Sequence, residues 1–184
     1  GALTATGQVS DFGAALAQSG LVANQFGISI DDTIGTLTAF ASAGLVGSDA
    51  GTSFRTMLLR LGNPSKEAAD TMERLGIAAF DAKGNFVGLE NLAGQLKSQL
   101  ATLSQEQRNQ ALATIFGTDA IRGANVLFEQ GAEGVRRYAE QVNQSGIAEG
   151  VAAEQTNNLT GAVDRLSVAW DNFVLSLEDG DGKL

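Results

Sequence analysis

Ser29-Ile30-Asp31-Asp32-Thr33-Ile34-Gly35-Thr36-Leu37-Thr38-Ala39-Phe40-Ala41-Ser42-Ala43-Gly44 carries the start, the buried face and the stop of one helix. Ser29 suits an N-cap, with Asp32 at N3 in the manner of a capping box. Ile30, Ile34, Leu37 and Ala41 recur at spacings of 4, 3 and 4, the period of a single helix face. Gly44 supplies the left-handed residue that ends a helix.

The same signals repeat outward from this stretch. Upstream, residues 10–19 read as a weak helix ended by Gly20. Downstream, Ser48 is expected to cap a helix with Asp49 in its first turn, where the macrodipole favours an anion. Phe54, Met57, Leu58 and Leu61 are its buried stripe. Asn63-Pro64 restarts the chain with Pro64 at N1, Ala68, Met72 and Leu75 face inward, and Gly76 stops that helix. Leu89, Leu92, Leu96, Leu100 and Leu103 form the next stripe. Ser104 with Gln107 makes a capping box for a helix carrying Leu112, Ile115 and Phe116, ended by Gly117. Thr118 is expected to cap the helix of Ile121, Ala124 and Phe128, and Val135, Tyr138 and Val142 mark a further short one.

Two regions depart from this pattern. Ile77-Ala78-Ala79-Phe80 and Phe86-Val87 flank Asp81-Ala82-Lys83-Gly84-Asn85, which predicts a short β-hairpin near 77–87 with Gly84 in its turn. A lone hairpin is marginal in water, so it must lie on helices. At the other end, Leu159, Val163, Leu166, Trp170, Phe173 and Leu177 are spaced 4, 3, 4, 3 and 4, a heptad pattern that includes the only tryptophan. It reads either as a terminal helix docked on the domain by one face or as a coiled-coil seam. These six residues are the candidate interface. The expected fold is mainly α, with six to eight short helices and β structure confined to 77–87. The expected organisation is a helical core domain over 1–146 with the hairpin inserted, a C-terminal helix over 147–178, and a flexible tail over 179–184.

Composition narrows the chemistry. The 184 residues suffice for one domain that buries about 70 % of its unfolded surface. There is no cysteine and no histidine. Disulfides, Cys-His and Ser-His-Asp catalysis and the familiar zinc sites are therefore excluded within these residues. Twelve bases against 21 acids give a net charge of −9, and an acidic surface repels phosphate backbones, so no direct nucleic-acid binding is expected. Residues 147–184 hold seven of the acids and two of the bases, −5 of that total. Residues 12–30 carry no charge, but their glycines, glutamines, serines and Asn24 favour a buried helix pair over a membrane span. The start at Gly1 and the end in Asp179-Gly180-Asp181-Gly182-Lys183-Leu184 read as an excised piece of a longer protein, with Gly1 a cloning remnant.

No constellation points to catalysis or to a metal or other cofactor. The loop from Asp81 fails as a calcium loop, because Lys83 and Phe86 stand where an EF-hand needs an oxygen ligand and a glycine. Asp179-Gly180-Asp181 reads as a solvated end. Asp31 and Asp32 are adjacent and point apart, and Glu67, Asp70 and Glu73 lie on a charge-laced helix surface with Lys66 and Arg74. Gly44, Gly47 and Gly51 lack the lysine of a phosphate loop and read as tight helix turns. Gly47-Ser48-Asp49-Ala50 and Gly117-Thr118-Asp119-Ala120 echo each other as repeated turn chemistry.

Four blocks carry a resemblance. They are Ala43-Gly44-Leu45-Val46-Gly47-Ser48-Asp49-Ala50-Gly51-Thr52-Ser53-Phe54-Arg55, Met57-Leu58-Leu59-Arg60-Leu61-Gly62-Asn63-Pro64-Ser65-Lys66-Glu67-Ala68, Leu75-Gly76-Ile77-Ala78-Ala79-Phe80-Asp81-Ala82-Lys83-Gly84-Asn85-Phe86, and Gln107-Arg108-Asn109-Gln110-Ala111-Leu112 with Ile115-Phe116-Gly117-Thr118-Asp119-Ala120. In order and spacing the chain, from about Thr6 to about Leu177, resembles the core region of phage tail tape measure proteins of the lactococcal siphophage type. The resemblance implies a long, mostly helical virion structural protein of a phage or prophage. Such a protein fills the tail tube, sets tail length and leaves ahead of the DNA at ejection. It implies other copies of the same protein, tail tube, tail-tip or baseplate proteins and tail assembly chaperones as partners, in the virion tail and, during assembly, in the host cytoplasm. The long repetitive helical tracts that act as the ruler are absent from these residues. Two other readings are a peptidoglycan-degrading tail-tip domain and a cytoplasmic helical adaptor unrelated to phage.

Overall fold

The computed structural model describes residues 5–146. They form seven helices, α1 (Ala5–Gln25), α2 (Ile30–Ser42), α3 (Gly47–Gly62), α4 (Lys66–Leu75), α5 (Leu89–Leu100), α6 (Gln105–Phe116) and α7 (Ile121–Ser145). The mainly α expectation holds. The heptad segment lies outside the described residues.

Local side-chain chemistry explains the best-defined ends. At α2, the Asp32 N–H donates to Ser29 Oγ at 3.0 Å, and the Ser29 hydroxyl donates to Asp32 Oδ2 at 2.8 Å. At α6 the capping box is reciprocal: the Gln107 N–H reaches Ser104 Oγ at 3.2 Å and the Ser104 N–H reaches Gln107 Oε1 at 3.1 Å. Gly44 and Gly76 turn the chain out of α2 and α4 in the left-handed region.

Other ends differ from expectation. The Ala50 N–H closes the first turn of α3 on Val46 O, which puts Ser48 inside the helix instead of at its cap. The Ala120 N–H bonds Gly117 O, so 118–120 are a turn and α7 starts after Thr118 with no side-chain cap. Ser65, not Pro64, meets the helix: its Oγ accepts the Ala68 N–H at 3.1 Å, leaving Pro64 outside α4. Gly20 does not stop α1. The helix runs to Gln25 and ends where Gly27 turns left-handed and the Ile28 N–H reaches back to Ala23 O. The charge-free run is thus the end of one helix and a turn, not a helix pair.

The hairpin is corrected as well. Among the described residues there is no strand, and 77–87 is a loop with one antiparallel bridge, Phe80 to Phe86. Two backbone bonds make that bridge, Val87 N–H to Ala79 O at 2.9 Å and Asp81 N–H to Asn85 O at 2.8 Å, and side chains take other groups of the loop. Gln95 pairs with both backbone groups of Ala78, accepting from its N–H at 2.7 Å and donating to its carbonyl at 3.0 Å. Asp81 Oδ1 accepts the Lys83 and Asn85 N–H groups at 2.8 and 2.9 Å. The Asn85 N–H is the group that a second bond between Asp81 and Asn85 would need, so pairing stops at the bridge on that side. The loop does lie on helices, with the Phe80 and Phe86 rings 5.9 and 5.5 Å from Phe26 just beyond α1.

The core joins all seven helices. Phe40, Phe54, Phe116, Ile34, Leu37, Met57, Leu58, Leu92, Leu96, Leu100 and Leu112 are its largest fully buried side chains. The closest pairings are α1 with α3, α5 with α7, and α2 with α7. Two helical glycines allow backbones to touch. A Cβ on Gly35 of α2 would stand 2.7 Å from Ala139 N of α7, and one on Gly51 of α3 would stand 2.8 Å from Ala15 Cα of α1. Within α7, Gly131 takes φ 63° and ψ −170°, which separates the Ile121 and Val135 stretches as the sequence predicts. Lys97 Nζ donates to the freed Glu129 carbonyl at 2.9 Å.

Candidate functional site

The block from Ala43 to Arg55 is a joint between three helices. Gly44 and Gly47, both left-handed, turn α2 into α3 with Leu45 buried between them. Gly51 admits the α1 backbone, a role that the turn reading missed because it depends on a partner far away in sequence. Phe54 meets Phe40 edge-on, with centroids 6.1 Å apart and planes at 83°. The echoing Gly117-Thr118-Asp119-Ala120 forms a turn ahead of α7, where its counterpart is the first turn of α3, but shares three features with it. Its glycine is left-handed with φ 80°, its acid is exposed, and Ala120 is buried like Ala50. The helices that follow the two echoes cross each other, where the Gly123 N–H donates to Ser53 Oγ at 3.3 Å. A Cβ at Gly123 would stand 2.8 Å from the Phe40 ring.

The acids that the sequence singles out are surface groups or caps. Glu67, Asp70 and Glu73 are exposed on α4, with Lys66 Nζ 2.7 Å from Asp70 Oδ2. Asp31 and Asp32 stand in the first turn of α2. The Asp81 carboxyl is held below the usual range, first by the Asn85 backbone N–H, then by the Asn85 side-chain amide at 3.1 Å, and less by Lys83 and Gly84. It therefore serves the loop's own backbone. Among the described residues no group of three or more acids is placed to hold a metal ion. No helix among them is long and apolar enough to cross a membrane.

The six residues of the candidate interface, Leu159 to Leu177, lie outside the described residues. A feature that the sequence reading missed is on α1 and α3, where Leu21 is 73 % exposed and Leu59 is 47 % exposed. Their one sequence signal is an apolar residue standing off the buried stripe of its helix.

Motif residues used for turns and helix contacts define a helix-packed structural domain. The chain belongs to the phage-related minor tail protein family, which matches residues 1–117. It is 31 % identical over 172 residues to the tape measure protein of Pneumococcus phage Dp-1, covering 93 % of this chain and 15 % of that protein. It is 32 % identical over 122 residues to the "Probable tape measure protein" of Escherichia phage P2, covering 65 % of this chain and 15 % of that one. The chain thus spans about 15 % of the length of these curated relatives. No solved structure matches it. The resemblance to tape measure proteins is borne out by both relatives.

Proposed function

We propose that the chain is a structural module of a tape measure protein, acting in tail assembly, tail-length determination and DNA ejection by holding and joining helices, with no catalysis of its own. The observation that carries this is the alignment of 93 % of the chain with a tape measure protein. The packing supports it, because Gly44, Gly47, Gly51, Phe54, Gly117 and Ala120 all work as turns and contacts. A left-handed glycine ends one helix and lets the chain turn into the next, which is what a helix-packed part needs.

On this reading the module works in the virion tail, and in the host cytoplasm while the tail is built. Its partners are other tape measure copies, the tail tube, tail-tip or baseplate proteins and tail assembly chaperones. Residues 1–146 act as the helical core, and residues 147–178 form a C-terminal helix whose stripe Leu159, Val163, Leu166, Trp170, Phe173 and Leu177 is an interface. Burying a large apolar side chain is worth about 1.5–3 kcal/mol, so six in register demand a cover.

The test is an in-frame deletion of residues 1–146 from the gene that encodes the chain, followed by electron microscopy of the lysate. Full heads without normal tails are expected, and tails of normal length and number would overturn the proposal. A zymogram of the purified chain on peptidoglycan should stay opaque, and clearing would overturn the non-catalytic part.

A further inference from the structure

The contact between α1 and α3 fixes their relative direction. Positions where a glycine of α3 approaches α1 or the residue after it pair Asp11 with Gly47, Ala15 with Gly51 and Phe26 with Gly62. Each pair is 36 apart, so the two helices run parallel and in register. An α-helix advances about 100° per residue, which sorts the remaining positions around the seam. Phe12, Ser19 and Ala23 of α1 fall on one side, together with Ala50, Met57 and Leu61 of α3, and all six are buried. Leu21 and Leu59 fall about 100° from the contact line on the opposite side. They are 38 apart, so along the axis they differ by two residues, about 3 Å. Two exposed leucines therefore stand next to each other on the outer face of a parallel helix pair.

Around them the face is weakly polar and basic. Gln18 and Gln25 flank Leu21, and Arg55 lies one turn before Leu59, exposed and with no acidic partner among the described residues. No carboxylate occurs in 12–25 or in 50–62.

We propose that this outer face of α1 and α3 is the docking surface for the chain's own C-terminal stripe, Leu159, Val163, Leu166, Trp170, Phe173 and Leu177. This rests on the reading of those residues as one helical face. Three observations select that occupant. The stripe is apolar and needs a cover, and the face has apolar side chains that need one. Asp164, Asp171 and Glu178 follow Val163, Trp170 and Leu177 at intervals of seven, so on a helix they form an acidic line along one flank of the stripe. That line complements Arg55 on a face free of competing carboxylates. The connection also reaches: the 13 residues from Gly146 to Leu159 span about 20 Å as helix and at most roughly 45 Å extended, against a radius of gyration of about 15 Å for a domain this size.

Trp170, the only tryptophan, reports directly on the docking. The experiment compares emission and acrylamide quenching of the 184-residue chain with those of Leu21→Glu/Leu59→Glu, the milder Leu21→Gln/Leu59→Gln, and Arg55→Glu. Circular dichroism checks the fold and sedimentation checks the oligomeric state. Both leucines are exposed, so the glutamine pair keeps its helices. The expected result is a monomeric parent with blue-shifted, protected emission. The leucine pairs should red-shift it and lose the protection, and Arg55→Glu should do so in part. A blue-shifted parent unmoved by every variant overturns the placement but leaves the stripe reading standing. Water-exposed emission from the parent overturns the stripe reading itself. A parent that sediments as a dimer, and parts as the emission shifts, makes the occupant a second copy and overturns docking within one chain.

Discussion

Helix α2 and the α1–α3 pair use the same device to opposite ends. In both, a glycine inside a helix lets another backbone close in, Gly35 on Ala139 and Gly51 on Ala15. Around Gly35 the closure is complete, since Thr33 through Phe40 are all buried. Two of the buried threonines there bond the helix's own carbonyls, Thr33 to Ser29 O and Thr38 to Ile34 O, both at 2.8 Å, while the buried Thr36 hydroxyl has no partner among the described residues. Among the described residues the α1–α3 pair is covered on one side only and shows Leu21 and Leu59 on the other. A close backbone contact thus sets how near two helices lie, while the residues about 100° away decide whether the pair is an interior or a surface.

The sharpest way to break this contrast is to fill the two contacts. Gly35→Val pushes a branched side chain into the α7 backbone, where neither helix can withdraw, and should cost about 3 kcal/mol or more in urea unfolding. Gly51→Val should cost less, about 1–3 kcal/mol, because the described residues hold α1 from one side only and leave it room to shift. Equal losses would mean that α1 is held as tightly as α2. A smaller effect is expected from Ser29→Ala, which removes the cap of α2 and should cost about 1 kcal/mol. Thermal melting of that variant checks the value, and no loss would mean that burial alone holds α2 in place.

The smallest effect falls outside both regions, in the loop at Asp81. Its carboxyl is held below the usual range by Asn85, so the bonds it accepts contribute above the ordinary aspartate value of about 4 and are lost as pH falls through the lower folded value. Amide exchange at Lys83 and Asn85, corrected for the intrinsic rate, should quicken over that acidic range while α2 stays protected. Asp81→Asn should remove the pH dependence.

What could be read from the sequence was what neighbours in sequence decide. The caps at Ser29 and Ser104 and the stops at Gly44, Gly76 and Gly117 each need only a few adjacent residues, and all are found where the sequence puts them. The buried stripe of Phe54, Met57, Leu58 and Leu61 follows from period alone. The misreadings depend on distant or competing partners. Gly51 looks like a turn residue until α1 is set beside it. Residues 77–87 have the composition of a hairpin, but pairing stops at the Phe80–Phe86 bridge, where Asp81 Oδ1 takes the Asn85 N–H that a further backbone bond would need. Ser48 and Thr118 are good caps in isolation, displaced because Val46 O and Gly117 O take the first N–H groups. Leu21 and Leu59 are ordinary exposed leucines until the parallel register makes them neighbours.

Hydrogen exchange on the 184-residue chain, parent against Leu21→Gln/Leu59→Gln, tests the contrast between the two regions most directly. The proposed docking of the C-terminal stripe predicts faster exchange across α1 in the variant, because the stripe then leaves its outer face, and unchanged protection across α2. Equal acceleration in α1 and α2, or no change in either, would contradict it.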